Sequence, residues 1–543
     1  MPTVTLNKEV LEKLIGKKLS LEELKDRISY LGTDLESIER NEIVVEIFPN
    51  RPDLLSEQGF ARALSSFIGI GTGLKKYKVN KSSYRVKIDT SVKKVRPYTA
   101  CAVVKNLKFN DEKIREIIQI QEKLHVTYGR NRKKAAIGIY PFEKITTPIY
   151  YKALPKGEIK FRPLESDKEM NGVEILSKHP AGKEYGYLLD GLDEYPVFLD
   201  ANGKVLSMPP IINSHDTGKI SEETTEVFIE CSGFDFETLK VILNIIVTAL
   251  ADMGGEIYSM ELFYEGKREI TPDLSASEMK LDLSYVNKIL GLDLDEENVK
   301  DLLERMGFSY RGRKALIPAY RADILHSIDL VEDIAIAYGY ENFKPEIPKV
   351  ATIAKENEFE PYKRKVQEIL VGLGFLETSS FNIIGKELLK KCKISEKFIE
   401  LKNPLSKEFD ILRPSLIPSL LQILSENQHN EYPQKLFEIN YVFKDDSEKS
   451  SLGVAISHEK AGFTELKQIL DALVLSLGLG YSIEPKKVDG FIEGRSGEIL
   501  LDKKSIGVIG EIHPSVLVGL NLGVPVSLFE IDLGSLYEGN KKL

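Results

Sequence analysis

A stretch near the amino terminus recurs in the middle of the chain. Residues 14–32 read LIGKKLSLEELKDRISYLG, and residues 289–307 read ILGLDLDEENVKDLLERMG. At one constant offset, 291 − 16 = 275, Gly16 lies over Gly291, Leu24 over Val299, Lys25 over Lys300 and Asp26 over Asp301; Ile28 and Gly32 lie over Leu303 and Gly307. Each copy opens an amphipathic helix on a capping side chain, Ser20 or Asp295, and closes it on a glycine. The offset then drops to 321 − 51 = 270, where FPNRPDLLSEQGFARAL (48–64) lies over PAYRADILHSIDLVEDI (318–334). Arg51 matches Arg321 there, and Asp53 matches Asp323. The repeat means one small helical unit, with short strands between its helices, used twice.

The copies differ in their acids. The second carries Asp323, Asp329, Glu332 and Asp333; the first keeps Asp53 but has Gly59, Arg62 and Ala63 at the other aligned places. Asp329, Glu332 and Asp333 fall at i, i+3 and i+4 and share one helix face. Like charges so placed repel unless a cation or a basic partner compensates, and oxygen-rich clusters suit Mg²⁺. The bland reading is an N-cap aspartate, Asp323, followed by a solvated acidic face. Because the first copy dispenses with the acids, the fold alone does not demand them.

At roughly 150 residues per domain, 543 residues make three or four domains. Polar, Gly- or Pro-punctuated breaks at 69–87, 264–280 and 340–356 divide the chain into four pieces. The expected domains are 1–75, 85–265, 270–346 and 355–543. Three isolated cysteines, Cys101, Cys231 and Cys392, write neither a disulfide framework nor a zinc site. Leu239–Met253, among the most apolar stretches, is broken by Lys240, Asn244 and Asp252, so no membrane span is expected. The amino terminus lacks a signal-peptide apolar core, and a cytoplasmic location is expected.

A net charge of −9 excludes a polycationic nucleic-acid coat but not a local basic patch. Arg130, Arg132, Lys133 and Lys134, with Tyr128 and Tyr140 nearby, are such a candidate, read either as a solvated loop or as a contact for single-stranded ends. The second piece reads as mixed α/β. VLSMPPIINSHDTGKI is a strand, a double-proline turn and a polar loop, TEVFIECSG alternates like a strand, and Asp235 caps the helix that follows. Ser207, Glu230 and Ser232 thus sit at strand ends or turns, where pocket groups commonly lie. No GxSxG elbow occurs, and His215-Asp216 reads as turn chemistry rather than a catalytic dyad. The fourth piece, antiparallel strands interleaved with helices, is α+β.

Taken in order, EIFPNRPDLLSEQGFARAL, VLSMPPIINS, YRADILHSIDLVEDIAIAYGY, NPLSKEFDILRPSLIPSLL and LFEINYVF resemble the phenylalanyl-tRNA synthetase β-subunit family in its shorter archaeal and eukaryotic form. The resemblance spans all four pieces. It implies an α+β multidomain fold, with a duplicated winged-helix-like unit, a mixed α/β editing domain and a class II synthetase-like antiparallel-sheet module that has lost catalysis. It implies an obligate catalytic α subunit in an (αβ)₂ heterotetramer, tRNA(Phe) as a partner, ATP as a substrate of the complex, and Mg²⁺ held by Asp323, Asp329, Glu332 and Asp333 at the contact with α. Class II activation uses a Phe-Arg-x-Glu motif and a later Gly-rich arginine motif to hold ATP. Here LFEIN lacks the arginine and no such later motif follows, so this chain alone is not expected to adenylate phenylalanine.

The resemblance also implies hydrolysis of mischarged Tyr-tRNA(Phe). A pocket built for phenylalanine cannot strongly reject an isostere that only adds a hydroxyl, so a second site must recognise that hydroxyl. Ser207, Glu230 and Ser232 are the expected pocket residues, with Glu230 accepting the phenol's hydrogen bond; relatives carry Asp and Thr where this chain has Glu230 and Ser232. Arg130 and Arg132 are the expected tRNA contacts. Because the sequence ends at Leu543, the bacterial form's anticodon-binding domain is expected to be lacking. Two other readings compete: a freestanding aminoacyl-tRNA deacylase, and a non-enzymatic nucleic-acid-binding assembly protein.

Overall fold

The computed structural model describes residues 2–349, 353–444 and 446–541. These fall into two compact units, Met1–Glu346 and Ile347–Leu543. Part of the expected linker at 340–356, residues 350–352, lies outside the described residues, as do the last two residues of the expected fourth domain.

Within the first unit, two stretches have the same order of elements. Strand Thr3–Asn7, helices Lys8–Ile15 and Leu21–Tyr30, strands Asp34–Glu39 and Glu42–Glu46 and helix Glu57–Phe67 make the first. Strand Ser277–Lys280, helices Leu283–Leu290 and Glu296–Arg305, strands Ser309–Arg311 and Lys314–Ile317 and helix Ser327–Tyr338 make the second. In each, the last strand of the hairpin is the middle strand of a three-stranded antiparallel sheet. The first helices end on Gly16 (φ 83°) and Gly291 (φ 67°), a left-handed backbone that costs glycine nothing. The second helices are capped by Ser20 and Asp295, whose oxygens accept from the amides of Glu23 and Asn298.

Between them lies a larger sheet. Its path runs Ile212–Asn213, Val205–Met208, Glu194–Leu199, Ile149–Pro155, Arg85–Ile88, Glu256–Tyr264, Tyr98–Lys105, Val227–Gly233, Ala135–Pro141. Strand Val227–Gly233 is buried along its whole length between its two antiparallel neighbours, as its apolar run requires. Helix Phe236–Asp252, capped by Asp235, buries Leu239, Ile242, Leu243 and Ile246 in the main core. The polar stretch after Ile212–Asn213 contains one helical turn, His215–Gly218.

The second unit is built on a seven-stranded sheet in the order Leu376–Glu377, Gln434–Lys444, Ser447–Ser457, Val526–Asp532, Lys504–Ile512, Phe491–Leu501, Ser482–Pro485. Only the first pair is parallel. Alternate residues face opposite layers. Val454, Ile456, Phe529 and Ile531 pack with helices Phe359–Gly372 and Phe463–Ser476, whereas Ala455 and Leu528 pack with helix Ile417–Glu426.

Candidate functional site

The larger sheet of the first unit turns back so that its two ends line one cavity of about 110 Å³. Ser207, Ile212 and Asn213 come from one end, and Ala136, Ile137 and Glu230 from the other. Gln121, Glu122 and His125 close it from helix Asp111–Val126. An outer chamber of about 740 Å³ adjoins it, sharing Gln121, Glu122, Arg132, Leu164, Ile212 and Asn213.

Register places Glu230 opposite Gly138 on one side and Cys101 on the other. Gly138 is required by close approach: a Cβ there would lie 2.0 Å from the Tyr140 hydroxyl and 2.7 Å from Glu230 Oε1. The Tyr140 ring therefore folds back over the glycine. Its hydroxyl lies 3.1 Å from Glu230 Oε1 and 3.3 Å from Asn213 Oδ1, joining the two ends of the sheet. One phenolic proton serves one acceptor at a time. Two buried oxygens at the cavity, Glu230 Oε2 and Ser207 Oγ, lack a partner at full hydrogen-bond geometry, although Ser232 lies beside Glu230 and Tyr140 beside Ser207. Unsatisfied buried oxygens cost free energy that a ligand's hydroxyl would recover.

Burial pushes the Glu230 carboxyl up to about 8, although the Tyr140 hydroxyl and the Arg96 guanidinium pull it down. The pocket thus holds a largely protonated carboxyl at neutral pH. Cys101 and Cys231 are fully buried, and burial raises both thiols far out of the reactive range. They are not nucleophiles. His125 Nε2 accepts from the Ile137 amide (2.8 Å), so the ring proton sits on Nδ1, facing Glu122 Oε1 at 3.2 Å. Burial opposes ionisation of Glu122, but His125 and Arg132 outweigh it and hold the carboxyl down to about 2.

The expected residues divide. Ser207 and Glu230 meet in the cavity. Ser232 does not line it: its hydroxyl accepts from Arg96 Nε (3.2 Å), and its carbonyl accepts from Arg96 Nη2 (2.6 Å). Two residues along the strand from Glu230, it faces the same way and its side chain helps pull the Glu230 carboxyl down. Arg130 and Arg132 also part company. Arg130, Asn131 and Arg132 have φ of 51°, 52° and 64°, a left-handed run of three non-glycine residues. It leaves Arg130 exposed and turns Arg132 inward. Arg132 donates to Glu122 (3.1 Å) and to the Ile211 carbonyl (2.9 Å), and it stacks over Tyr185 at 4.1 Å. His215 lines the outer chamber with a buried, unpartnered Nδ1, while Asp216 pairs with Arg162 at 2.6 Å.

The four acids of the second copy do not converge. Arg321 holds Asp323 in a two-pronged pair (2.8 and 2.6 Å) and also donates to Asp333 at 2.6 Å. Asp329 Oδ2 accepts the Leu325 and His326 amides, both at 2.7 Å, so the helix starts at Ser327 and Asp323 is not its N-cap. Of the four, Glu332 alone is exposed. Among the described residues, the one group of three acidic, His or Cys ligand atoms within 4.8 Å is the surface trio Asp34, Glu36 and Glu46. As the chain stands, an internal guanidinium occupies Asp323 and Asp333, and the four acids do not fit a Mg²⁺ cage. The Arg-x-Asp pair recurs in the first copy, where Arg51 holds Asp53 at 2.9 Å twice, so it belongs to the fold.

In the second unit Arg413 is wholly buried and pairs with Glu438 (3.1 Å), Ser380 (2.6 Å) and the Tyr441 carbonyl (2.9 Å). Arg495, on a strand, pairs with Glu511 at 2.7 Å. Both arginines are thus engaged within the unit.

Consecutive stretches match four family descriptions: the Phe-tRNA synthetase β subunit B1 domain (1–70), the B3/4 domain (82–242), the tRNA synthetase B5 domain (279–340) and the phenylalanyl-tRNA synthetase β chain CLM domain (344–533). Three of these descriptions name a tRNA synthetase, which places the chain among the aminoacyl-tRNA synthetases. The phenylalanine–tRNA ligase β subunits of Thermococcus sibiricus and Pyrococcus abyssi are each 41% identical to it, over 99% of this chain and 100% of theirs. A crystallised N-terminal fragment of the Pyrococcus horikoshii phenylalanyl-tRNA synthetase β subunit is similar over 62% of this chain and 99% of that one, with 41% identity and a TM-score of 0.60. The chain belongs to the phenylalanine–tRNA ligase β-subunit family.

Proposed function

We propose that this chain works with a catalytic α subunit in charging tRNA(Phe) with phenylalanine, and that its own chemistry is hydrolysis of mischarged Tyr-tRNA(Phe). The observation that carries the second part is the pair of buried, unpartnered oxygens, Ser207 Oγ and Glu230 Oε2, at a cavity of about 110 Å³. A phenol hydroxyl entering there finds both. Phenylalanine satisfies neither, which makes the discrimination one of lost hydrogen bonds to buried oxygens. The outer chamber has room for the terminal nucleoside of the ester, with Arg132 at the junction. With no thiol or triad available, the pocket's contribution is orientation of the ester for attack by water.

Joint charging rests on the family membership and on the occupied arginines of the second unit, where Arg364 pairs with Glu356. A phosphoryl-bearing transition state needs free cations, and Arg413 and Arg495 are committed to Glu438 and Glu511. ATP therefore binds to α in this reading, and the assembly is (αβ)₂ in the cytoplasm. Exposed Leu376, Phe381 and Leu405 offer apolar surface for a partner chain. A Mg²⁺ ion at the second copy would draw on Asp329 and Glu332, the acids Arg321 leaves open, with further ligands from α. The purified single chain is expected to show no phenylalanine-dependent pyrophosphate exchange and to co-purify stoichiometrically with α; exchange by this chain alone would refute the division of labour.

A further inference from the structure

Ser232 and Arg132 share one donor, the side chain of Arg96. Arg96 is 3% exposed, and among the described residues no carboxylate stands within ion-pairing distance of it. Neutral oxygens surround its guanidinium instead. Nε donates to Ser232 Oγ (3.2 Å), and Nη2 donates to the carbonyls of Ser232 (2.6 Å) and Arg132 (3.3 Å). Its own carbonyl accepts the Tyr151 hydroxyl at 2.8 Å, and its guanidinium lies over the Phe234 ring, 5.4 Å from the centroid. Burying a cation without an anion beside it is costly, so packing alone does not account for an arginine here.

Arg132 stands where such support is needed. Residues 130–132 all have positive φ, a left-handed course that is unfavourable for any residue with a Cβ. The amides of the run tie back to the end of helix Asp111–Val126: Arg130, Asn131 and Arg132 donate to the carbonyls of Thr127, Val126 and His125 at 2.9, 3.2 and 3.1 Å. At its far end the Arg132 carbonyl accepts from Arg96. Held from both sides, the run aims the Arg132 side chain across the junction of the two cavities, where Nη1 donates to the Ile211 carbonyl (2.9 Å) and Nη2 to Glu122 (3.1 Å). Ile211 leads into strand Ile212–Asn213, so the reach of Arg132 joins one end of the sheet to the other. Meeting a hydroxyl and two carbonyls at once takes the fixed fork of a guanidinium; a lysine offers a single point.

We infer that Arg96 is a positioning residue for the hydrolytic pocket: anchored on Ser232, its guanidinium fixes the left-handed run and thereby the inward course of Arg132. This rests on the hydrolytic reading above. Arg96 lines neither cavity, so it acts through Arg132 and touches no substrate. Its loss takes that donor from the Arg132 carbonyl, and the run relaxes toward a course in which Arg132, like Arg130, faces solvent.

The test is a double-mutant cycle in the αβ complex, read on hydrolysis of preformed Tyr-tRNA(Phe). Arg96→Met, which keeps an apolar stem, and Arg132→Met should each slow the reaction about 10- to 100-fold, the scale of a misplaced pocket group. The double variant should be no slower than Arg132→Met alone, because without the Arg132 side chain Arg96 has nothing left to aim. Arg96→Lys, charged but unforked, should lose as much as Arg96→Met. In parallel, exchange of the amides of residues 130–134 should quicken in Arg96→Met while helix Phe236–Asp252 stays protected. Losses that multiply in the double variant, or a native rate from either Arg96 variant, overturn the assignment. Should Arg96→Met also expose helix Phe236–Asp252, the same cycle is read with Arg96→Lys. Absence of hydrolysis by the native complex would instead sink the hydrolytic reading, and the exchange arm would still judge Arg96.

Discussion

Glu230 carries the sharpest consequence of the pocket's construction, because its carboxyl is buried, half-satisfied and held up to about 8. An unfolded glutamate titrates near 4.3. Between those values the folded chain keeps a proton that the unfolded chain has released. Stability present below the unfolded value is therefore lost steadily as pH rises toward 8. At about 1.4 kcal/mol per pH unit, the loss reaches roughly 3 to 4 kcal/mol by pH 7. Glu230→Gln removes that dependence at a cost of about 1 to 2 kcal/mol for an imperfectly paired buried amide, leaving a net gain of about 2 kcal/mol at pH 7. The assay is the urea midpoint of the transition that unfolds this sheet, followed from pH 5 to pH 8 for both proteins. The native midpoint should fall with pH more steeply than that of the variant, whose remaining slope belongs to other buried carboxyls held up by burial, Glu57 and Asp333 among them. The companion variant Glu230→Ala removes the hydrogen-bond partner itself and leaves the buried phenol unsatisfied, at a cost of about 1 to 3 kcal/mol. It should slow Tyr-tRNA(Phe) deacylation about 5- to 150-fold and leave phenylalanine charging intact. Parallel midpoints, together with native deacylation by Glu230→Ala, would refute the reasoning.

Two further outcomes follow from the same geometry. Gly138→Ala places a methyl 2.0 Å from the Tyr140 hydroxyl, so the ring must leave the pocket floor; overpacking should destabilise the first unit by about 1 to 3 kcal/mol and abolish tyrosine-specific deacylation, checked by urea unfolding and by the same hydrolysis assay. Because Arg321 already compensates Asp323 and Asp333, millimolar Mg²⁺ should leave the melting temperature of the isolated chain unchanged relative to EDTA, whereas a specific site would raise it by mass action.

What the sequence made legible was local. Helix ends at Gly16, Gly291, Ser20, Asp295 and Asp235 are set by residues within one turn, and the repeated Arg-x-Asp pair showed that two stretches share one chemistry. What the acids of the second copy do was not legible. Spacing places Asp329, Glu332 and Asp333 on one helix face, but whether a guanidinium from outside that helix reaches Asp333 is tertiary. The pocket was half legible. Ser207 and Glu230 belong to recognisable strands, but Asn213, Gly138 and Tyr140 join them only because the two ends of one sheet meet across residues far apart in sequence. Tyr140 was visible merely as an aromatic near a basic loop. Arg132 was taken together with Arg130, and the left-handed run that separates them has no glycine to announce it. Ser232 shares the face of Glu230 and acts on its carboxyl, but alternation gives the face of a strand, not which residue on that face borders the void.

Co-expression of this chain with its α subunit, followed by incubation with tRNA(Phe), ATP and tyrosine in place of phenylalanine, tests the central claim most directly. The native complex should accumulate no Tyr-tRNA(Phe), while the Ser207→Ala/Glu230→Ala complex, with phenylalanine charging unchanged, should accumulate it. Equal Tyr-tRNA(Phe) levels in the two complexes would contradict the assignment of hydrolysis to this pocket.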